Sequence, residues 1–233
     1  MTAPICLLTR PHAQSVAFAR ELPGIEVLIA PILRIEALPF DPARISAAPG
    51  IVFTSANAVP LAGPGKGKPA LCVGPQTAEA AAAAGYEVEE GPGDAEGMMP
   101  MLPGREAWLH LHGRHRAREL PVQGMAIYDQ IAQPLSPEAT ALLSGDRPVI
   151  LPLFSPRSAT LLAQAAASAT APIATVAISA RADECYDGPT QARLIAERPE
   201  GVSMARAILS LHDLADFAER SEKPWVEAAE GRR

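Results

Sequence analysis

Polar chemistry in this chain concentrates where short apolar runs end. Thr9-Arg10-Pro11, Thr54-Ser55-Ala56, Gly74-Pro75-Gln76-Thr77, Ser155-Pro156 with Ser158, and Ile178-Ser179 each follow an apolar run and open a helical stretch. Ser or Thr in such a place caps a helix, and Pro fits its first turn. The same geometry leaves unpaired backbone N–H groups and partial positive charge at the helix start, where a carboxylate or phosphate can bind. Capping alone accounts for any single junction. Five of them in two repeated halves favour a shared anionic-ligand site. Arg10 and Arg157 follow strand ends with the reach for bidentate carboxylate pairing, the alternative being solvated surface arginines.

Two further constellations could carry chemistry. Tyr128 is one of three tyrosines and closes the apolar stretch MAIY. A phenol donates a proton or a hydrogen bond to a leaving hydroxyl while staying uncharged at neutral pH. The competing reading is an amphipathic residue packed at a domain boundary. His110-Leu111-His112-Gly113-Arg114-His115 superficially matches a metal-binding spacing. On a strand, His110 and His112 face one side, and His115 follows the turn. Arg114 and Arg116 bring positive charge and the run holds no carboxylate, so it reads as a strand end with a basic, anion-binding loop at Gly113 and Arg114 rather than as a metal site.

The elements that position these residues follow a strand–helix rhythm. Apolar runs at 6–9, 27–30, 51–53, 70–73, 109–111, 125–128, 149–154 and 173–178 read as buried strands. Stretches 11–21, 56–61 and 76–84 suit helices. The alternation predicts an α/β fold with parallel sheets, in which strand-to-helix junctions share the carboxyl edge where ligands bind. With 233 residues, the chain is long enough for one large domain or two small ones at about 150 residues per domain. Only 4% of residues are aromatic, against 24 Pro and 17 Gly, so the core is aliphatic and Ala-filled and the turns are sharp.

The chain also echoes itself at a distance of roughly one hundred residues. FTSANAV (53–59) returns as FSPRSAT (154–160), and ALCVGPQTAEA (70–80) as ATVAISARADE (174–184). VEEGPGDAEGMMPML (88–102) returns as IAERPEGVSMARAIL (195–209), and LLTRP (7–11) more loosely as LHLHGR (109–114). Such a period is too long for a solenoid unit and reads as two copies of one small α/β domain. The polar stretch 219–233 reads as a tail.

Taken in order, LLTRP, VFTSANAV, CVGPQTAEAAAAAGY, the AIY strand and FSPRSA resemble the uroporphyrinogen-III synthases over about residues 5 to 210. The resemblance implies a cofactor-free, metal-free enzyme that cyclises hydroxymethylbilane, a linear polycarboxylate tetrapyrrole. Water is lost, ring D is inverted, and uroporphyrinogen III is formed. It also implies two similar α/β domains, each a parallel sheet flanked by helices. Residues 1–33 with 131–218 would form one, discontinuous, and 34–130 the other, with two extended linkers and the site in the cleft between them. Carried over by motif, Tyr128 matches the family tyrosine proposed to assist loss of the hydroxyl. Thr54, Ser55, Ala56, Thr77, Ser155 and Ser158 match the positions lining the cleft, and Arg10, Gly113, Arg114 and Ser179 join them as substrate-binding candidates. This sequence departs from many members by placing Ala182 where they keep a Thr.

Other classes fare less well. A net charge of −6 argues against a nucleic-acid partner. The absence of a long apolar run argues against a membrane span, and the N-terminus has no signal-peptide pattern. Three widely spaced cysteines suit a reducing compartment, so the cytoplasm is expected. There is no GxGxxG, GxxxxGK[ST] or GxSxG, and GPGKGKP (63–69) reads as an exposed turn. A monomer is the family expectation, with transient contact to the preceding pathway enzyme. The alternative function is a non-enzymatic two-lobed protein that binds or senses a small anion.

Overall fold

The computed structural model describes residues 3–116 and 118–213, so the tail expected at 219–233 lies outside the described residues. In chain order the elements begin with β1 (Ile5–Leu8), α1 (His12–Ala19), β2 (Glu26–Ile29), β3 (Leu33–Ala37), α2 (Pro42–Ala47) and β4 (Ile51–Phe53). They continue with α3 (Val59–Ala62), β5 (Pro69–Cys72), α4 (Pro75–Ala83), β6 (Glu87–Glu90), β7 (Leu109–Gly113) and β8 (Gln123–Ala132). Last come α5 (Pro137–Leu143), β9 (Val149–Leu153), α6 (Pro156–Ala165), β10 (Ile173–Ala177), α7 (Ala180–Glu184), β11 (Ala192–Ile195) and α8 (Gly201–Asp213). Two compact units result, one from Met1–Arg34 with Ala132–Arg233 and the other from Ile35–Ile131.

The discontinuous unit holds a five-stranded sheet in the order β2-β1-β9-β10-β11, parallel throughout. β1 pairs with β9 through Ile5 opposite Val149 and Cys6 opposite Ile150, which brings the N-terminal strand into a sheet whose other half lies far along the chain. Alternation along the strands feeds two cores. Leu7, Leu151 and Ala177 pack with Ala139 and Leu143 of α5, Leu162 of α6 and Ala182 of α7. Cys6, Leu8 and Val176 pack on the other face with Phe18 of α1 and Met204 and Ile208 of α8. The sheet is therefore buried on both faces, as parallel sheets are.

The second unit carries the order β3-β8-β7-β4-β5-β6, with β8 through β6 parallel. Set beside the first, β8-β7-β4-β5-β6 reproduces β2-β1-β9-β10-β11. The weak echo between LLTRP and LHLHGR is thus real in space, since β1 and β7 hold the same place in their sheets. In both sheets the chain reverses its direction of winding at one point, between β1 and β9 and between β7 and β4. Ligands of open α/β sheets bind at the carboxyl ends of the strands flanking such a point.

Where the structure differs from the sequence reading, local composition explains it. Strands β3, β6 and β11 escape notice because charged residues interrupt them. β2, expected to be buried, is exposed at Glu26 and half-buried beyond it. β2, β3, β6 and β11 are the edge strands of their sheets, where charge blunts unwanted pairing. The predicted helix 56–61 begins as a 3-10 turn over Ala56–Ala58 before α3. The segment echoing α8 forms only a 3-10 turn at Met99–Met101, because Gly97, Pro100, Pro103 and Gly104 deny it a continuous helix. Leu102 and Met98 from this irregular stretch still cover Val52 and Leu71 on that face of the second sheet. In the GPGKGKP turn, half-buried Lys68 donates from Nζ to the carbonyls of Ile45 and Ser46 at 2.9 Å each and to that of Ala48, fastening the end of α2.

Candidate active site

All five predicted junctions end a strand at the carboxyl edge of its own sheet and open a helix or 3-10 turn, but their chemistry differs. In the discontinuous unit, Ser155 caps α6. Its Oγ accepts from the Ser158 N–H at 3.2 Å, lies 2.8 Å from Ser158 Oγ, and Ser158 Oγ donates to the Ser155 carbonyl at 3.0 Å. Both hydroxyl protons at this junction are thus spent on the cap. Ser179 caps α7 by accepting from the Ala182 N–H at 3.3 Å, and its own proton engages no acceptor among the described residues. Ala182 is fully buried.

Arg10, at the winding reversal of the same sheet, does not project freely into solvent. Its guanidinium stacks 4.5 Å from the ring centre of Phe154, Nε donates to Gln14 Oε1 at 3.1 Å, and its carbonyl accepts from Ser15 Oγ at 2.9 Å. Phe154 is braced edge-on by Phe18 at 4.9 Å. Burial pulls the Arg10 guanidinium down to about 10, which leaves it charged at neutral pH. Phe154 follows β9 and Arg10 follows β1, so the two strands flanking the reversal supply a cation and the aromatic platform that orients it.

In the second unit, Ser55 caps the 3-10 turn that starts at Ala56 by accepting from the Asn57 N–H at 3.2 Å. α4 has Gly74 as its N-cap and no side-chain cap, with Thr77 almost wholly buried in its first turn and its N–H donating to the Gly74 carbonyl at 3.1 Å. Gly93, itself at φ +109°, crosses close by, and a Cβ on Gly74 would lie 3.1 Å from its Cα, so a side chain there would fit only if the crossing segment gave way by a few tenths of an ångström. Thr54 Oγ1 shares a 2.8 Å hydrogen bond with Nε2 of His110, a residue 1% exposed. Burial, followed by the nearby His112 and Arg116, pushes the His110 imidazole down to about 3, so it is neutral at pH 7.

His112 shows how its proton is placed. Its Nδ1 lies 2.7 Å from the Gly113 carbonyl, which can only accept, while Nε2 faces Arg116 Nη1 at 3.4 Å, which can only donate. The ring is therefore the Nδ1–H tautomer. The two imidazoles lie 4.8 Å apart on one side of β7, as the alternation predicts. Among the described residues no group of three or more His, Cys, Asp or Glu could hold a metal ion.

Tyr128 sits at a break in register. Leu111 pairs with Met125 and His112 with Ala126, but Gly113 pairs with Tyr128, leaving Ile127 as an extra residue. Such a bulge re-aims side chains. Here it turns Tyr128 onto the same core face as Met125 and Ile127, where strict alternation would place it opposite. The ring lies directly over Gly113, and a Cβ at that glycine would fall 2.6 Å from Cε2 and 2.7 Å from Cζ. The residue is 4% exposed, and its hydroxyl makes no hydrogen bond to a protein group among the described residues. Replacing Gly113 with Ala should expel the ring, lowering turnover about as much as loss of the phenol and costing about 1–3 kcal/mol in stability. Thermal melts and rates on Gly113→Ala check both, and unchanged values for both would remove the seat from the argument.

The basic loop differs most from its sequence reading. The run contains no carboxylate of its own, but β8 supplies one. Asp129 Oδ2 lies 3.2 Å from Arg114 Nε and Oδ1 3.7 Å from His115 Nε2, while Arg116 Nη2 donates to Glu119 Oε1 at 3.0 Å. Asp129 and Phe154 are the residues near the candidate positions that sequence reasoning passed over, and it considered His110 only as part of a metal-like run, not as the partner of Thr54. Only the charge following MAIY, at the end of a strand, could have signalled the first.

Thr54, Ser55, Ala56, Thr77, Gly113, Arg114 and Tyr128 thus lie along one sheet edge, and Arg10, Ser155, Ser158 and Ser179 along the other. Residues 17–206 match the sequence profile of uroporphyrinogen-III synthase HemD. A solved uroporphyrinogen-III synthetase from Helicobacter pylori 26695 aligns with a TM-score of 0.59 at 16% identity, covering 90% of this chain and 100% of that one. A mutant uroporphyrinogen III synthase from the extremely thermophilic bacterium Thermus thermophilus aligns at 0.49 and 16% identity over 91% of this chain and 100% of that one. Comparison with curated proteins finds no match. Since the profile spans most of the sequence, the chain belongs to the uroporphyrinogen-III synthase family, cyclising lyases of haem biosynthesis.

Proposed function

We propose that the family reaction is carried out by the strand-end loops of both units, with 34–130 acting as one domain and 1–33 with 131–218 as the other. The observation that carries this reading is the Tyr128 hydroxyl, held by a buried ring that lies over Gly113 at the end of β7, one of the two strands flanking the winding reversal, and left without a protein partner among the described residues. A phenol placed there donates to the terminal hydroxyl of hydroxymethylbilane as it leaves as water. The resulting azafulvene cation is attacked by ring D at its already substituted carbon. The spiro intermediate reopens and closes again with the ring inverted. Spontaneous closure gives the uninverted isomer, so catalysis here means holding one geometry and excluding water rather than only speeding dehydration.

Substrate carboxylates are taken by helix starts and by few full charges. Ser55, Ala56 and Thr77 on one sheet edge and Ser179 on the other offer backbone N–H groups or an uncommitted hydroxyl proton. Ser155 and Ser158 contribute through the helix they cap. Thr54 is oriented by His110, and Arg10 and Arg114 supply the cations. This supports a polyanion bound by a protein of net charge −6. Two of the three cysteines are buried thiols, with burial raising Cys6 and pushing Cys72 up to about 11, which suits a reducing cytoplasm. Among the described residues no helix is long and apolar enough to cross a membrane. The reading includes a monomer that needs neither cofactor nor metal and that meets the enzyme supplying its substrate only transiently.

Supplied with hydroxymethylbilane, the protein should yield uroporphyrinogen III, read as the type III porphyrin after oxidation and chromatographic separation of isomers. Type I product alone, at the spontaneous rate, refutes the activity.

A further inference from the structure

The ion pair behind the basic loop points to a residue that works through its neighbour. Asp129 directly follows Tyr128 on β8, yet its side chain is only 10% exposed while that of Arg114 is 61% exposed. A carboxylate so covered is costly unless its oxygens are engaged. Oδ1 accepts from the Gln130 N–H at 2.8 Å, and Oδ2 faces Arg114 Nε at 3.2 Å. Nε is the guanidinium nitrogen nearest the backbone. No other ion pair or hydrogen bond engages the Arg114 side chain among the described residues, which leaves its two terminal amino groups for an outside acceptor. The Arg114 backbone is fixed as well, because its N–H donates to the Tyr128 carbonyl at 2.8 Å.

We propose that Asp129 is a positioning residue: it holds Arg114 by its inner edge so that the outer fork of the guanidinium receives a carboxylate of the tetrapyrrole beside Tyr128. A free arginine has many rotamers to lose on binding, whereas one tethered at Nε has already lost them. The buried carboxylate also cancels most of the local charge. The loop then recognises one carboxylate by directed hydrogen bonds instead of attracting any anion. The inference rests on the function proposed above, with Arg114 among the substrate contacts.

A double-mutant cycle tests it on the full-length protein. Arg114→Ala and Asp129→Ala should each raise KM about tenfold, the worth of one charge-assisted hydrogen bond, with kcat within about twofold of the parent. In the Arg114→Ala background the Asp129 substitution should then add less than about twofold, because both act through one contact. Asp129→Asn, which preserves volume and an acceptor for the Gln130 N–H, serves if the alanine variant folds poorly. KM effects that multiply in the double variant overturn the inference, as does a loss confined to kcat or to melting temperature. If the parent protein forms no type III isomer, the functional reading itself fails. If it forms that isomer and Asp129→Ala leaves KM unchanged, the role of Asp129 falls, and if Arg114→Ala is silent as well, Arg114 falls with it as a substrate contact.

Discussion

Tyr128→Phe should lower kcat by at least about tenfold, within reach of the ~10²–10⁴ that a positioned proton donor supplies, and leave the melting temperature unchanged. The two halves of this expectation have one cause. The hydroxyl makes no hydrogen bond to a protein group among the described residues, so removing it takes nothing from the fold. The ring, which fills the space over Gly113 and packs into the core with Ile127 and Met125, is retained by Phe. KM should change little, because binding is assigned to the helix starts and arginines. The product should also drift towards the type I isomer, since the slowed enzyme competes less well with spontaneous closure. Measuring rate, isomer ratio and thermal melt on one preparation separates the readings. Full turnover in the phenylalanine variant would reduce Tyr128 to a packing residue.

Acid should destabilise the second unit through His110. Its folded-state imidazole is pushed down to about 3 from an ordinary 6.5 by burial and by the neighbouring His112 and Arg116. Between those values the unfolded chain binds a proton that the native state refuses. Stability therefore falls as pH drops below about 6.5, by up to about 1.4 kcal/mol per pH unit, until the native group itself titrates. Groups facing the imidazole are Thr54, whose hydroxyl bonds Nε2, and the His112 and Arg116 side chains, and none is a carboxylate that could rescue the charge. Urea midpoints at pH 7.5, 5.5 and 4.5 should show the decline, and His110→Gln should flatten it although starting lower. Parallel declines in parent and variant would assign acid lability to other groups. Because the native imidazole refuses a proton until about pH 3, activity lost through His110 should track unfolding rather than precede it.

Much of the frame could be read from the chain. The runs at 51–53 and 149–154 became β4 and β9, each opening a capped helical turn, because Ser55 and Ser155 sit where a side-chain oxygen meets an N–H two or three residues on. The echo at roughly one hundred residues survived as matching strand orders, since a repeated apolar pattern folds into a repeated sheet. Edge strands hid because their charges imitate loops, and the helix expected from the echo of α8 was lost to two prolines and two glycines.

The sequence by itself determined the parallel α/β class, the doubling and the placing of polar residues at strand ends, because each is encoded within a few neighbouring residues. Tertiary structure alone decided which of those residues keep a free proton and which way they point. Thr54 meets His110 across 56 positions of chain, and Asp129 meets Arg114 across two strands. One extra residue in β8 turns Tyr128 onto the face that alternation denies it. Capping follows from local spacing, but cross-strand partners follow from register, and a single bulge resets register without leaving a mark on hydrophobic periodicity.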